Sequence, residues 1–259
     1  AEALVQHGHE VKVVGLYRQS GITESEQGGV RVIRLPIRSG LLGFLVNRIR
    51  LSSALESISR DGPIDVLEAP DFEGHSAFLP RRARAHLVRL HGSHRYFADE
   101  RRVPHSSPVT FFERHALLRA DGVVSVSAYT ASRTRDLFGL ARDIPVVHNA
   151  VSIPKRAVRK TDYRTSCRVV YFGTLAEKKG VLPLADAWRQ FHADFPEWEL
   201  VLMGRDTEHQ GRSVKSMMIE RMGDAAKVVT FTGALAHHEI LERLVHFDFA
   251  VLPSYSEAF

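Results

Sequence analysis

The chain of 259 residues is long enough for one large domain or two small ones with a buried core. Hydrophobic residues make up 44% of it and charged residues 25%, which excludes collagen-like, low-complexity and disulfide-stapled classes. The formal net charge is +5, but no zinc-finger spacing, RNP-type aromatic motif or basic heptad helix accompanies it, so we expect no nucleic-acid partner.

The first half alternates short apolar runs with longer helical stretches. After a helix end and Gly8, we predict strands at 11–16, 30–35, 64–68, 86–90, 122–126 and 146–147, and helices at 44–59, 74–84, 109–119 and 128–137. Near-continuous apolar strands separated by helices indicate a parallel sheet buried on both faces. Residues 1–150 are therefore predicted to form a doubly wound α/β domain.

The periodicity stops at 151–166, a polar stretch with Pro154 that we interpret as a linker. It restarts with predicted strands at 168–172, 199–203, 227–231 and 249–252, and helices at 181–194, 214–222 and 237–246. Residues 167–259 thus predict a second Rossmann-like domain. No strand precedes the opening helix and no helix follows the last strand, so we expect a fragment lacking both ends.

Three turns after predicted strands carry residues suited to ligand binding, since open α/β sheets bind ligands beyond the carboxyl ends of their strands. In FGTLAEKKG, Gly173 permits a tight turn, and Lys179 precedes a helix whose N–H groups suit a diphosphate. His91 in RLHG directly follows a strand. Glu257 in PSYSEAF could accept hydrogen bonds from sugar or ribose hydroxyls. The alternatives are a loop with surface lysines, a structural histidine and a helix cap.

A metal site around His91 is a further interpretation, because His86 and His94 lie nearby in sequence. No carboxylate or cysteine completes a recognisable ligand spacing there. We therefore expect no metal.

In their order, these turns resemble those of the retaining glycosyltransferases of family 4. HGHEVKVV is similar to the family's Gly-His-x-Val start, RLHG to its N-domain histidine turn and VVHNAV to its Asn-Gly-Val turn. FGTLAEKKG resembles its phosphate loop, and PSYSEAF the opening of its Glu-x7-Glu donor motif. The resemblance covers nearly the whole chain. It implies the GT-B fold, two Rossmann-like domains facing a central crevice, the second one incomplete here.

The resemblance also implies roles for individual residues. Gly173 and Lys179 would hold the donor's diphosphate, and Glu257, with backbone groups of Ala258 and Phe259, would hold hydroxyls of the donor sugar. His91 would lie against the sugar near the reacting carbon. Family members generally need no bound metal, so Lys179 and a helix dipole would stabilise the leaving diphosphate. No cofactor is expected, because the nucleotide sugar is a co-substrate.

The chain departs from the family pattern at three places. Thr174 replaces the arginine of the phosphate loop and removes a bidentate phosphate contact, for which Arg205 in LVLMGRD could compensate. Ala150 stands where the family mostly has glycine. The second Glu of the donor motif would lie beyond Phe259.

The acceptor side is less specific. The segment 38–51 mixes arginines with apolar residues, namely Arg48, Arg50, Leu41, Leu42, Phe44, Leu45 and Ile49. It is either an amphipathic helix packed on its own core or a docking element for an anionic membrane that carries a lipid-linked acceptor. In EAPDFEG, the carboxylates of Glu68, Asp71 and Glu73 either contact the acceptor or serve as caps and surface charges.

We therefore predict a retaining hexosyltransferase that moves a sugar from a nucleotide sugar to a hydroxyl acceptor, which is a sugar, a lipid-linked sugar or a small molecule. The alternatives are a GT-B sugar-nucleotide epimerase and, given Thr174, a non-catalytic nucleotide-sugar binder. No apolar run reaches the roughly 18–20 residues of a membrane span, no signal peptide is recognisable, and Cys167 is the only cysteine. A cytoplasmic location is expected, at the inner face of the membrane if the docking alternative holds.

Overall fold

A computed structural model describes residues 1–150 and 166–258. The chain divides into two compact units, Ala1–His148 together with Ala258, and Asn149–Glu257. Apart from Ser166, the predicted linker 151–166 lies outside the described residues, and so does Phe259. Each unit has its own sheets and its own apolar core.

The first unit alternates strands and helices along the chain. Its strands are β1 (Lys12–Tyr17), β2 (Thr23–Gln27), β3 (Val30–Pro36), β4 (Ile64–Pro70), β5 (Ala83–Leu90) and β6 (Gly122–Ser125). Its helices are α1 (Glu2–Gln6), α2 (Leu41–Asp61), α3 (His94–Glu100), α4 (Ser107–Arg119) and α5 (Ala128–Phe138).

In the described part of this unit the strands form two three-stranded sheets, in the orders β1-β3-β2 and β4-β5-β6. All pairs are parallel except β2 with β3, which is antiparallel. Ile58 of α2 packs on Ile33 and Leu35 of β3, while Leu117 of α4 and Phe138 of α5 pack with β5. The prediction of one parallel sheet buried on both faces is therefore wrong here. β1 and β4 each pair with a single neighbour, and of the side chains on these two strands only that of Ala69 is buried.

The predicted helix 74–84 is also wrong. The chain makes one tight turn at Phe72–Gly74, in which Glu73 departs from helical geometry, and then turns and irregular chain lead to β5 at Ala83. Glu73 and Gly74 have φ angles of 54° and 55°, which a helix does not allow, and a Cβ on Gly74 would lie 2.4 Å from the backbone of Phe112 in α4. Pro80 further disfavours helix in the residue before it.

The second unit is a doubly wound sheet. Its strands are β7 (Arg168–Phe172), β8 (Glu199–Met203), β9 (Glu208–His209), β10 (Arg212–Ser213), β11 (Val229–Gly233) and β12 (Phe249–Ala250). Its helices are α6 (Val181–Asp194), α7 (Val214–Met222) and α8 (His237–Leu244). The main sheet has the order β11-β8-β7-β12 with all pairs parallel, and β9 and β10 form a small hairpin.

Helices cover both faces of this sheet. On one face α6 and α7 pack on β7 and β8 through Val181, Trp188 and Met218, all 3% exposed or less. On the other face Ile240 and Leu244 of α8 pack on Val201 and its neighbours. The strand order reverses between β7 and β12, and that reversal is the position at which sheets of this class bind ligands, beyond the carboxyl ends of the strands.

Candidate functional site

The loop after β7 lies directly against the end of β8. A Cβ on Gly204 would lie 1.7 Å from the carbonyl oxygen of Gly173, so only glycine permits this approach. Gly173 itself has a φ of 140°, and its N–H donates to the Met203 carbonyl at 2.9 Å. The Leu175 N–H donates to the Arg205 carbonyl at the same distance. These contacts fix the backbone of the predicted phosphate loop.

The segment after β12 lies on the same loop. The Tyr255 N–H donates to the Lys178 carbonyl at 3.1 Å. Gly180 has a φ of 67°, and a Cβ there would lie 1.9 Å from the carbonyl oxygen of Pro253. The two connections that flank the strand-order reversal, after β7 and after β12, are therefore in direct backbone contact.

This contact brings together two side chains that the sequence assigned to the donor. Lys179 Nζ lies 2.5 Å from Glu257 Oε1, and both side chains are partly exposed, at 29% and 42%. Burial raises the pKa of Glu257, but hydrogen bonds from Lys179 and Ser254 outweigh it and leave that pKa below its usual value. The carboxyl group is therefore ionised at neutral pH, and the site holds a cation beside an anion.

Helix α6 begins at Val181, directly after this loop, and no side chain caps its N-terminus. Its first N–H groups have no partner within the helix, and the N-terminal end of the helix dipole is positive. Lys179 and the start of α6 thus place positively charged or positively polarised hydrogen-bond donors at the strand-order reversal.

Thr174 and Arg205 occupy neighbouring loops. The Thr174 carbonyl accepts a hydrogen bond from the Tyr171 hydroxyl at 2.8 Å, and burial together with the charge of Glu257 raises the pKa of Tyr171 to about 12. The Arg205 side chain is exposed, and its guanidinium has no hydrogen bond or ion pair to any residue the structure describes. The Arg205 carbonyl accepts the hydrogen bond from the Leu175 N–H, so the backbone of Arg205 lies beside the loop that contains Thr174.

In the first unit, His91 follows β5 directly, as predicted. Its backbone N–H donates to Asp71 Oδ1 at 2.9 Å, and its imidazole is exposed. Burial and the neighbouring Arg89 lower the pKa of His91, so the ring is neutral at neutral pH. Glu68, one of the three carboxylates considered for the acceptor, forms a two-point ion pair with Arg89 at 2.8 and 3.1 Å.

Two buried carboxyl groups hold the turns around His91. Asp71 is 0% exposed, and burial raises its pKa to about 7 despite the hydrogen bond from His91. Glu113 is also 0% exposed and accepts the backbone N–H groups of Glu73, His94 and Arg95 at 3.1, 2.6 and 3.1 Å. Burial raises the pKa of Glu113 as well, although these three bonds act against it.

Sequence reasoning did not identify Glu113. A signal for it exists in the sequence, because the carboxylate stands at a core-facing position of α4, beside Phe112 and Ala116. Asp71 was noted only as one of three acidic residues with open alternatives. In the structure it caps the backbone of the His91 turn.

The histidines near His91 do not form a metal site in the described ranges. His94 accepts the Ser106 N–H at 3.0 Å through its Nε2 atom. Among residues 1–150 and 166–258, no group of three or more His, Cys, Asp or Glu side chains is placed to hold a metal ion. The expectation that the protein needs no metal stays a prediction. Within the same ranges, no helix combines the length and apolarity that a membrane span requires.

Comparison with solved structures gives the fold. An UDP-forming α,α-trehalose-phosphate synthase from Burkholderia xenovorans is similar at a TM-score of 0.67 and 13% identity, over 100% of this chain and 75% of that one. A structure described as trehalose-6-phosphate from E. coli, bound with UDP-2-fluoro glucose, gives 0.70 and 9%, with the same shares of 100% and 75%. TarM gives 0.58 and 15% over 83% of this chain and 41% of its own. The fold of this chain is the GT-B fold of glycosyltransferases.

Family comparison identifies the protein more closely. The sequence model described as Glycosyltransferase Family 4 matches residues 1–154, and the one described as Glycosyl transferases group 1 matches residues 166–259. The chain belongs to glycosyltransferase family 4, and its chemistry is glycosyl transfer from a sugar donor to an acceptor. A search of curated proteins gives no match.

Proposed function

We propose that this chain transfers a hexose from a nucleoside diphosphate sugar to a hydroxyl acceptor with retention of anomeric configuration. The observation that carries the proposal is the pairing of Lys179 with Glu257 at the strand-order reversal, where β7 and β12 end side by side. A cation beside an ionised carboxylate matches a donor that is a diphosphate at one end and a polyol at the other. The E. coli neighbour bound with UDP-2-fluoro glucose supports a nucleotide sugar as the donor.

Lys179 and the start of α6 would bind the diphosphate. A lysine ammonium has three N–H donors, and Glu257 takes one of them in the structure, which leaves two for phosphate oxygens. The uncapped N–H groups of α6 add donors of the same sign. Both would bind the leaving diphosphate more strongly as its negative charge grows, and this difference is what accelerates bond cleavage.

Glu257 would accept hydroxyl groups of the donor sugar. An ionised carboxylate only accepts hydrogen bonds and can accept several at once, as Glu257 already does from Lys179 and Ser254. Its low pKa keeps it an acceptor throughout the neutral range. The role of Phe259 stays a prediction, because that residue lies outside the described ones.

Arg205 would supply the guanidinium that Thr174 does not. The backbone carbonyl of Arg205 accepts a hydrogen bond from the Leu175 N–H of the phosphate loop. The Arg205 side chain has no hydrogen bond or ion pair to any residue the structure describes. A guanidinium can take two phosphate oxygens at once, which a threonine hydroxyl cannot.

His91 would contact the donor sugar as a neutral imidazole, able to donate one hydrogen bond and accept another. In the proposed reaction the bond between the anomeric carbon and the diphosphate oxygen breaks, the acceptor oxygen bonds to the same face of that carbon, and the acceptor proton passes to the departing diphosphate. No enzyme nucleophile takes part. The cations named above replace a metal in this proposal.

Product analysis by NMR tests the proposal. The chain is incubated with UDP-glucose, GDP-mannose or ADP-glucose, each alone and with a panel of sugar and glycolipid acceptors. The expected result is an α-glycoside formed from an α-donor only when an acceptor is present. Conversion of the donor without acceptor would identify an epimerase, binding without turnover would identify a non-catalytic binder, and a β-glycoside would contradict retention.

A further inference from the structure

A cleft in the first unit opens at the edge of the β4-β5-β6 sheet where the strands begin. Ala83, the first residue of β5, and Asp121, which directly precedes β6, both line it. It is an open space of about 390 Å³, walled also by Leu67 of β4 and by residues 79–82. His91 follows the other end of β5, whose eight residues span about 25 Å. The cleft is therefore separate from the turn that carries His91.

Two polar side chains that line the cleft lack a hydrogen-bond partner. The Ser76 hydroxyl and the His86 Nε2 atom are both buried, and neither contacts a donor or acceptor in the part of the chain that the structure describes. Ser76 is only 6% exposed. Burying a polar atom without a partner costs free energy, so most buried polar groups in proteins are paired. These two atoms therefore indicate a polar ligand in the cleft.

Arginines dominate the rim of the cleft. Arg81, Arg82 and Arg119 line it, and Asp121 is the only acidic residue among its described lining residues. Both carboxylate oxygens of Asp121 are already in use. Oδ1 lies 3.4 Å from the Arg81 guanidinium, and Oδ2 accepts the backbone N–H of His86 at 2.8 Å. Asp121 thus offsets one of the three positive charges.

The ion pairs at the rim leave an excess of positive charge. Arg82 lies 3.7 Å from Glu56, but Glu56 also pairs with Arg60 at 3.1 Å. Arg119, the last residue of α4, is exposed and has no hydrogen bond or ion pair to any residue in the described ranges. Four arginines therefore share two carboxylates, those of Glu56 and Asp121. This excess favours an anionic ligand.

The His86 ring adds a neutral donor to these cations. Burial lowers the pKa of His86, and the charges of Arg119 and Arg81 act in the same direction, against that of Asp121. The imidazole is therefore neutral at neutral pH and can donate from one of its nitrogens. The same electrostatic effect shows that both guanidinium groups lie close to this ring.

We propose that this cleft is a second ligand-binding site and that its ligand is a phosphate group, either inorganic phosphate or the phosphate of a small monoester. A tetrahedral phosphate can accept hydrogen bonds from several directions at once, and a guanidinium binds two of its oxygens. Arg119, Arg81, Ser76 and His86 supply the donors. The apolar wall of Leu67, Leu79 and Pro80 leaves room for the organic part of an ester. The proposal does not rest on the donor site, whose residues belong to the second unit.

NMR titration of the full ¹⁵N-labelled chain tests the proposal. All samples carry Lys179→Ala, so that phosphate bound at the donor loop does not contribute. Sodium phosphate, glucose 6-phosphate and sodium acetate are added at constant ionic strength. We expect both phosphates to shift the backbone amides of Ser76, His86 and Asp121 saturably, and acetate to bind at least about tenfold more weakly. Tighter binding of the ester would identify an organic phosphate as the ligand, and equal affinities would identify the phosphate group alone.

Arg119→Ala should weaken phosphate binding by about tenfold, because it removes a guanidinium that has no other partner. Arg114→Ala is the matched control, since Arg114 is an exposed arginine of the same helix outside the cleft. It should bind phosphate like the chain with Lys179→Ala alone.

Ser76→Ala separates a ligand-binding role from a structural one. It should weaken phosphate binding about three- to tenfold and, without phosphate, leave the urea midpoint unchanged or raise it, because the hydroxyl it removes has no partner. The proposal is overturned if phosphate shifts no amide of the first unit or if acetate binds as tightly. It is also overturned if Arg119→Ala and Ser76→Ala keep full affinity, or if Arg114→Ala loses as much affinity as Arg119→Ala.

Discussion

Two turns that follow parallel strands use charge in opposite ways. After β7 the backbone is shaped by glycines, and the charges of Lys179 and Glu257 remain partly exposed. After β5 the backbone is held by the carboxyl groups of Asp71 and Glu113, which are fully buried. Partly exposed charged side chains stay available to a ligand, whereas the buried carboxyl groups already bind backbone N–H groups and hold the turn in place. Variants of the first turn should therefore change ligand binding, and variants of the second should change stability.

Glu113→Ala should give the largest effect. It would leave three backbone N–H groups without their acceptor in a buried site, and we expect the first unit to lose about 3–5 kcal/mol of unfolding free energy. Both tryptophans, Trp188 and Trp198, belong to the second unit, so urea unfolding followed by fluorescence reports that unit alone while circular dichroism reports both. Only the dichroism transition should shift.

The control for Glu113→Ala is Asp136→Ala, which removes an exposed carboxylate from α5 in the same unit. It should change the unfolding free energy by no more than about 0.5 kcal/mol. Equal destabilisation by the two variants would contradict the bracing role of Glu113.

Gly180→Ala should destabilise the second unit by about 2–4 kcal/mol. A left-handed conformation costs a residue with a Cβ about 1–2 kcal/mol, and the contact with Pro253 adds the cost of overpacking. Gly211→Ala is the control, because Gly211 lies in the tight turn between β9 and β10 of the same unit, also has a positive φ, of 76°, and has nothing within 4 Å of its Cβ position. It should show only the conformational cost. Tryptophan fluorescence in urea measures both, and equal losses would argue against the backbone contact after β7 and β12.

Asp71 should give the first unit a pH dependence. Its pKa is about 7 in the folded state against 3.8 ordinarily, so between these values the folded chain holds a proton that the unfolded chain has lost. Stability therefore falls as pH rises through this window, by on the order of 4 kcal/mol, and is not regained above it. Asp71→Asn keeps an acceptor for the His91 N–H and should flatten this part of the profile. An unchanged slope in dichroism-monitored unfolding would show that Asp71 does not titrate there.

Arg205→Ala should have the smallest effect, about a tenfold loss of affinity for a nucleoside diphosphate, with no change in unfolding free energy beyond about 0.5 kcal/mol. Arg189→Ala is the control, since that arginine is also exposed in the second unit. If calorimetry gives both variants the affinity of the wild type, Arg205 does not compensate for Thr174.

The sequence predicted the second unit better than the first. β7, α6, β8 and α7 begin and end where their apolar patterns do, because each is buried in the core and its period is uninterrupted. α3, β2 and the β9–β10 hairpin were not predicted, since they are short and mostly polar. The predicted strand at 146–147 is only a single bridge between Val146 and Ser125.

Candidate site residues could be predicted from the sequence where they follow the ends of strands. His91 follows β5 directly, and Lys179 and Glu257 lie in the connections after β7 and β12, so the rule that α/β sheets bind ligands beyond strand ends was enough to single them out as candidates. The ion pair between Lys179 and Glu257, which are 78 residues apart in the chain, was not predicted, because it depends on the pairing of β12 with β7. The buried role of Asp71 depends in the same way on the pairing of β4 with β5.

The most direct test of the donor site is calorimetric titration of UDP, GDP and ADP into the wild type, Lys179→Ala and Lys227→Ala. Lys227 is the matched control, because it forms an exposed ion pair with Asp224 at 2.7 Å in the same unit. We predict that the wild type binds at least one nucleotide, that Lys179→Ala weakens its binding by about 10- to 100-fold, and that Lys227→Ala leaves it unchanged. Wild-type affinity in Lys179→Ala, or no binding of any of the three nucleotides, would contradict a diphosphate site beside Glu257.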